Sequence, residues 1–338
     1  MFELITKDTT RQEAQRLLDA ALRLLEPRVA AAFRKAAEQI RDGVVLEQLA
    51  EAIAANDIVR AIVLAGAEQL GAALTGQGLP PGQASVLDEL VQATRLGADS
   101  GMRMLPRQAG LMASLDLTNP ESLRYLREHI PELVTWVTDD VRKIIGETIL
   151  RGHTEGRPVV QMARDIRDSI GLTPDMAAAV RNFRMQLLTG EPWAGKLPWE
   201  RRLSAADRAR ARRIYEQGGA TFTRIDSIVE RYYRSLLNRR ALNIARTESH
   251  RAFIEGQQNI WRQAAARGFI DSNLTRRMWI VTPDDRLRPD HAAIPGMNPN
   301  GVGLTEPFQT PFGPVMGPGD GVPQLINCRC TVALEFKE

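Results

Sequence analysis

The chain has 338 residues, with 44 Lys or Arg, 41 Asp or Glu and a formal net charge of +3. This length permits a large buried core and two or three domains, and the small net charge excludes a protein that binds polyanions over its whole surface. Ala, Leu, Arg, Glu and Gln are plentiful while aromatic residues make up only 5% of the chain, a composition that favours helix.

Targeting and membrane segments are not expected. The first eight residues carry charge early and lack a long apolar core, so they do not resemble a secretory signal. No stretch approaches the ~18 consecutive apolar residues of a membrane helix. The two cysteines are separated by one residue, too close for an unstrained disulfide, and we therefore expect folding in a reducing cytoplasm.

Residues 1–114 form the predicted N-terminal helical region. A capping-box pattern at Thr10–Glu13 predicts the start of the first helix, and Pro27 predicts a break or kink in it. Further helices are predicted over residues 28–41 and 46–74. The Gly/Pro-rich stretch 76–82 indicates a linker.

Residues 115–221 form the predicted central helical region, which contains a basic segment. Helices are predicted over residues 120–128, 131–151 and 159–170, and residues 191–199 are expected to be an ordered loop. Between Arg181 and Arg251 there are 16 Arg or Lys residues against 7 Asp or Glu. This local excess suggests a face that meets an acidic partner.

Six arginines in this segment are candidate contacts to nucleic-acid phosphates, which would give salt-sensitive binding without sequence preference. They are Arg201, Arg202, Arg208, Arg210, Arg212 and Arg213. The same residues could instead form a solvated helix face or dock on an acidic protein surface. The sequence leaves nucleic-acid binding, a solvated face and protein docking open.

Residues 222–338 are predicted to hold one long helix followed by an α+β module. A long apolar stripe predicts helix over residues 222–267, and alternating or β-branched residues predict strands at 278–282 and 331–336. The chain between the strands is rich in Gly and Pro and needs specific contacts to satisfy its backbone. The predicted fold class is thus a mainly α N-terminal and central region with a small irregular α+β C-terminal module of few short strands.

The two cysteines, Cys328 and Cys330, are candidate metal ligands. In an extended strand residues i and i+2 face the same side, so both thiols could bind one tetrahedral zinc ion. His291 is a candidate third ligand, and Asp290 or Asp285 a candidate fourth. The alternative is that the cysteines are small buried apolar residues and that the chain binds no cofactor.

A polar run at residues 284–291, together with residues 327–329, predicts a network of ion pairs and hydrogen bonds that pins the irregular chain. We call this predicted network the C-terminal clasp. Its members are Asp285, Arg286, Arg288, Asp290, His291, Asn327 and Arg329. An alternative interpretation is a catalytic acid–base cluster.

A metal-dependent nuclease, or another enzyme built on the C-terminal Asp/Arg/His/Cys residues, is the alternative function. Asp290 and His291 followed by Asn298 and Asn300 show partial likeness to a His-Asn nuclease. Such a site usually has a second His after the Asn, and none lies downstream here. The sequence therefore favours a protein that is not an enzyme and has no catalytic residues.

The C-terminal motifs resemble a known family. Ala245-Arg246-Thr247-Glu248 on a helix is followed by Trp279, the run 285–291, Pro307-Phe308, Pro318-Gly319-Asp320 and Asn327-Cys328-Arg329-Cys330. This order is similar to that of the phage Mu F-like minor head proteins, or phage head morphogenesis proteins, over roughly residues 115–336. The chain has Leu287 where the family often has Thr, and Leu325 where it often has a His that could be the fourth metal ligand.

The resemblance implies a minor, capsid-associated protein of a tailed bacteriophage that acts in head morphogenesis. Such proteins bind the portal or the major capsid protein, can contact double-stranded DNA, are not membrane proteins and are present in several copies per virion. The implied location is the head interior or portal vertex of the virion, and the host cytoplasm during assembly.

Overall fold

The computed structural model describes residues 7–106, 120–190, 202–284, 287–318, 320 and 327–336. These residues form a mainly helical protein with one two-stranded sheet near the C-terminus, which confirms the predicted fold class. Within the described residues, no helix has both the length and the apolar character that a membrane crossing requires.

The helices and strands are numbered here in chain order. The N-terminal helices are α1 (Lys7–Asp42), α2 (Leu46–Ala54), α3 (Ile58–Leu64), α4 (Ala67–Leu74) and α5 (Val86–Arg103). The central helices are α6 (Pro120–Thr154), α7 (Val159–Arg167), α8 (Pro174–Thr189) and α9 (Ala205–Glu216). The C-terminal elements are α10 (Phe222–Ala266), β1 (Thr275–Ile280), α11 (Pro289–Met297) and β2 (Thr331–Phe336).

Pro27, for which the sequence predicted a break or a kink, does not break its helix, and the helix boundary predicted before Pro131 is wrong. Helix α1 starts at Lys7, before the predicted capping box, and continues through Pro27; α6 continues through Pro131. A proline inside a helix removes one backbone hydrogen bond, but buried neighbours on the same helix face can hold the helix together. Leu25 and Val29 around Pro27, and Ile130 and Leu133 around Pro131, are such buried neighbours.

The predicted helix over residues 46–74 is divided into α2, α3 and α4. Asn56 has a positive φ of 54° and Gly66 one of 74°, and each left-handed residue ends the preceding helical segment. Asp57 then begins α3, because its side chain accepts a hydrogen bond from the backbone N–H of Arg60 at 2.9 Å. An apolar stripe alone did not reveal these two turns.

The C-terminal predictions are mostly confirmed. Helix α10 is continuous over almost the whole predicted range, and β2 has the predicted bounds. Strand β1 begins at Thr275 rather than Met278 and pairs antiparallel with β2, from Thr275 opposite Phe336 to Ile280 opposite Thr331. Helix α11 was missed, because its Pro295-Gly296 pair predicted a turn.

Contacts group the chain into two compact units, each made of separate segments. Unit 1 comprises the described residues of Met1–Val29, Val86–Ile130 and Leu242–Glu338, and unit 2 those of Ala30–Ser85 and Pro131–Ala241. The long helices α1, α6 and α10 contribute residues to both. The three consecutive regions predicted from the sequence follow chain order, whereas these units follow spatial contacts.

Helix α5 packs closely against α10 within unit 1. A methyl group added to Gly97 would lie 1.9 Å from the carbonyl oxygen of Phe253, and one added to Gly256 would lie 2.0 Å from that of Thr94. The indole of Trp261 donates to the carbonyl oxygen of Gly101 at 2.9 Å. Glycine is needed here because the two backbones nearly touch.

Unit 2 contains a buried network of ion pairs. The fully buried guanidinium of Arg184 donates to both Asp165 and Asp168, and Arg41 donates to Asp168 at 3.0 Å. Burial acts to raise the pKa of Asp168, but Arg184 and the other nearby arginines outweigh it and lower the pKa below the ordinary value. Every charge in this group has a partner. Removing one member would leave a buried charge unpaired, which is strongly destabilising.

We predict that Gly97→Ala destabilises the protein and that Gly146→Ala stabilises it. The first change forces α5 away from α10 and should reduce the free energy of unfolding by about 2 kcal/mol. The second meets nothing within 4 Å inside α6 and should raise the free energy of unfolding by about 1 kcal/mol. Chemical denaturation measures the free energy of unfolding of both variants. An unchanged free energy of unfolding in Gly97→Ala would contradict the close helix contact.

Candidate metal centre

Helix α11 supplies the histidine of the site. Arg288 precedes the helix in an extended conformation and Pro289 occupies its first turn, where the fixed φ of proline favours helix. His291 then faces inward and is only 5% exposed. Its ring packs edge-on against Trp279, with ring centroids 6.4 Å apart, and lies 6.0 Å from the ring of Phe312.

The two cysteines lie in the extended chain that leads into β2. Cys328 and Cys330 are buried while Arg329 between them is exposed, the alternation that an extended strand requires. Asn327 has a φ of 60° and starts this segment from a tight turn. Two hydrogen bonds fix the segment: His250 Nε2 donates to the carbonyl oxygen of Cys330 at 2.7 Å, and Thr282 Oγ1 to that of Arg329 at 2.6 Å.

These elements bring three potential metal ligands together. His291 Nδ1 lies 3.4 Å from Cys330 Sγ and 3.5 Å from Cys328 Sγ. All three ligand atoms lie within 4.8 Å of one another, and all three residues are buried. The group could therefore hold a metal ion, as the sequence predicted. The other ring nitrogen, His291 Nε2, is buried and has no hydrogen-bond partner among the described residues.

The two thiols interact with each other as well as with the histidine. Hydrogen bonding with Cys330, and then with His291, lowers the pKa of Cys328 well below its ordinary value in spite of burial. The same hydrogen bond with Cys328, together with burial, raises the pKa of Cys330. The pair therefore favours one thiolate and one thiol, and a thiolate is the form that binds metal.

A pocket of about 30 Å³ opens beside the three ligands. Its lining includes all three of them together with Thr282, Asp284, Arg288 and Arg329. A volume of this size holds one or two water molecules or a small ion.

Of the remaining members of the predicted C-terminal clasp, Arg288, Asn327 and Arg329 line this pocket. Arg329 pairs with Asp284 at 3.2 Å and with Asp19 at 3.1 Å. Asp290 is exposed on the first turn of α11 and does not belong to the metal-binding group. Asp285 and Arg286, and also Leu325, lie outside the described residues.

Asn298 and Asn300, which suggested a nuclease, occupy different environments. The Asn298 side chain donates to the carbonyl oxygens of Ile294 and Gln309, each at 2.8 Å, and accepts from the backbone N–H of Gln309 at 3.0 Å. Asn300 is exposed. Asn298 thus braces the loop after α11 and has its polar atoms engaged by the protein.

Arg277 on β1 is the residue that sequence reasoning missed. It is 1% exposed, and its guanidinium donates to the carbonyl oxygens of Gly303, Glu306 and Met316 and to the side chain of Gln258. Its carbon Cζ lies 5.1 Å from the ring centroid of Phe308. Burial, followed by the charge of Arg262, lowers the pKa of Arg277 to about 10, so it stays charged at neutral pH.

The backbone of Arg277 holds the same segment. Its N–H donates to the carbonyl oxygen of Val302 at 2.8 Å, and the N–H of Val302 donates back at 3.0 Å. Strand β1 therefore pairs with β2 on one edge and with the irregular chain on the other. The sequence offered little signal for this role, because Arg277 stands beside a second arginine, Arg276, and most of its acceptors are backbone carbonyl oxygens.

The helical part of the family-like motif also lies in unit 1, where Ala245 and Glu248 are buried and Arg246 and Thr247 are partly exposed. Glu248 contacts His129 through Oε2 and Nε2 at 2.5 Å, and Arg246 pairs with Glu26 at 3.3 Å. Arg251 Nη1 lies 3.0 Å from His129 Nδ1. These side chains fasten α10 to its neighbours within the unit.

The basic segment divides into two groups in unit 2. Arg208, Arg212 and Arg213 line a groove on α9. Arg210 instead donates to Ser227 Oγ at 3.3 Å and to the carbonyl oxygen of Arg224 at 3.1 Å. Arg202 is half-buried, and Arg201 lies outside the described residues.

Comparison with protein-family models, curated proteins and solved structures yields no match to this chain.

We predict that Arg277→Lys lowers the free energy of unfolding by about 3 kcal/mol. Lysine keeps the charge but cannot reach acceptors in several directions, so some buried carbonyl oxygens lose their donors. Chemical denaturation measures the change. The matched control is Arg276→Lys on the same strand, which should change stability by no more than about 0.5 kcal/mol. Equal losses of unfolding free energy in the two variants would contradict the role of Arg277 as a buried donor to several carbonyl oxygens.

Proposed function

We propose that the chain is a minor head protein of a tailed bacteriophage, which acts in head morphogenesis by binding the portal or the capsid protein. The proposed role is structural and involves no catalytic turnover. The sequence order of motifs supports it, since the similarity to Mu F-like proteins extends over widely separated residues. The implied locations, the head interior or portal vertex and the host cytoplasm during assembly, belong to the same proposal.

One observation carries the proposal: several of the described motif residues, which are far apart in sequence, contact one another in unit 1. Trp279 packs against His291 and, with ring centroids 5.3 Å apart, against Phe308. His291 in turn contacts both cysteines. The motif is therefore used to build a compact module, as expected of a docking element whose surface must be fixed before it meets a partner.

The proposal is tested by expressing the full chain together with the portal and shell proteins of the same genome. Mass spectrometry of purified procapsids and mature heads should detect the chain. Arg277→Lys should reduce its incorporation because the C-terminal module loosens, whereas Arg276→Lys should not. Absence of the unaltered chain from both kinds of particle would overturn the proposal.

We further propose that the metal held by the module is zinc. Two sulfur ligands and one imidazole suit this ion, and zinc needs no particular geometry beyond a near-tetrahedral one. Bond lengths of about 2.3 Å to sulfur and about 2.0 Å to nitrogen place tetrahedral N and S ligands about 3.5 Å apart. The distances of 3.4 and 3.5 Å from His291 Nδ1 to the two sulfurs fit this spacing.

We predict that the purified protein contains about one zinc ion per chain and that Cys328→Ser loses it. The same variant should unfold at a lower temperature, since metal binding stabilises the folded state. Elemental analysis and thermal denaturation measure the two effects. The control is His153→Ala on the exposed face of α6, which should keep its zinc. Zinc-free unaltered protein would contradict this part of the proposal.

Double-stranded DNA is a proposed second partner of the head protein. The support is the groove on α9, which Arg208, Arg212 and Arg213 line together with Glu216. Phosphate contacts of this kind release counterions and make binding weaken steeply with salt.

We predict that the combined variant Arg208→Gln, Arg212→Gln, Arg213→Gln binds DNA more weakly and reduces the slope of log affinity against log salt by about 3. Arg210→Gln is the matched control, because Arg210 lies on the same helix but does not line the groove. Fluorescence anisotropy over a range of salt concentrations gives both slopes. A salt-independent affinity, or an equal loss in the control, would contradict the assignment.

A further inference from the structure

The two thiols of the chain lie side by side at the candidate metal centre. Cys328 and Cys330 are the two cysteines of the whole sequence. Their sulfur atoms lie within 4.8 Å of each other, and the backbone N–H of Cys330 donates to the sulfur of Cys328 at 3.4 Å. Because an S–S bond is about 2 Å long, a movement of no more than about 3 Å brings the two sulfurs to bonding distance.

The segment that carries the thiols can accept such a bond, but under strain. Both cysteines precede β2, which begins at Thr331, so joining them does not require a new strand register. The bond would pull on the segment, because Thr282 Oγ1 and His250 Nε2 hold the carbonyl oxygens of Arg329 and Cys330. Strained disulfides are easily reduced again, so the geometry suits a reversible bond.

A small oxidant can reach the sulfurs from the pocket beside them. Both cysteines and His291 line this pocket of about 30 Å³. A space of this size holds one or two water molecules, and hydrogen peroxide, with its two oxygen atoms, is of similar size. A bulky disulfide such as oxidised glutathione does not fit there. The pocket therefore favours a peroxide as the oxidant.

We propose that Cys328 and Cys330 form a redox modification site, at which a peroxide converts the two thiols into a reversible disulfide and the metal is released. One sulfur attacks a peroxide oxygen, the O–O bond breaks, hydroxide leaves and a sulfenic acid forms. The other sulfur then attacks the first, the S–O bond breaks and a second hydroxide leaves. Two protons from the thiols or from solvent convert both hydroxides to water. The peroxide is thereby reduced by the two electrons that the sulfur pair loses.

The release of the metal rests on the zinc centre of the proposed function. Zinc binds thiolates, and a disulfide offers it no negatively charged sulfur, so oxidation removes two of the three described ligands and leaves His291. Thiols stay reduced in the cytoplasm and are oxidised outside the cell. Under the proposed head role, the module keeps its metal during assembly and loses it in virions exposed to peroxide.

The experiment treats the reduced, full-length protein with hydrogen peroxide. Free thiols are then blocked with iodoacetamide for peptide mapping by mass spectrometry, while a chromogenic chelator measures the zinc released. We expect one disulfide within each chain, no iodoacetamide on either cysteine and release of about one zinc ion per chain. Dithiothreitol should restore both thiols. Cys330→Ser should instead take up oxygen on Cys328, because the second thiol is missing.

Several results would overturn the inference. Thiols of the unaltered protein that stay reactive to iodoacetamide, cysteines that end as oxygen adducts, or disulfides that join two chains on a non-reducing gel would each contradict a redox pair. A disulfide formed while zinc stays bound would contradict the release of the metal. If the purified protein holds no zinc, the zinc proposal fails, but the peptide masses still decide whether the disulfide forms. Incorporation into heads is measured separately and tests the head proposal alone.

Discussion

The buried guanidinium of Arg277 is the interaction on which the C-terminal module depends. A buried cation is strongly unfavourable unless it is surrounded by acceptors, and the carbonyl oxygens of Gly303, Glu306 and Met316 provide them. Three separate points of an irregular chain are therefore tied to one strand residue. The ring contacts continue from Arg277 to Phe308, then to Trp279, and then to His291. The position of His291, a candidate metal ligand, thus depends on a residue that does not touch it.

Much of the regular structure could be predicted because one physical rule dominates each element. The apolar stripe of α10 and the short apolar run of β2 identify these elements almost to the residue. The convergence of Cys328 and Cys330 followed from strand geometry alone. Their closeness to His291 could only be suggested from the sequence, since it depends on the path of about forty intervening residues.

The failures of prediction have specific physical causes. Pro27 and Pro131 were expected to interrupt helices, but packing around them outweighs the loss of one hydrogen bond each. Helix α11 contains Pro295 and Gly296, so local preference pointed to a turn. The role of Arg277 could not be foreseen because its acceptors are backbone carbonyls, which carry no sequence signal. Under the proposed head-assembly role, a module ordered in this way loses little conformational freedom when it meets its partner.

The central claim is that side chains, rather than an extended sheet, order residues 298–318, which follow α11. Hydrogen–deuterium exchange of the unaltered protein tests it most directly. The account predicts that the backbone amides of Gly303 and Gln309 exchange about as slowly as those of β2, because they donate to the side-chain oxygens of Glu306 and Asn298. Exchange of these amides as fast as in the Gly/Pro-rich turn at residues 77–83 would contradict it.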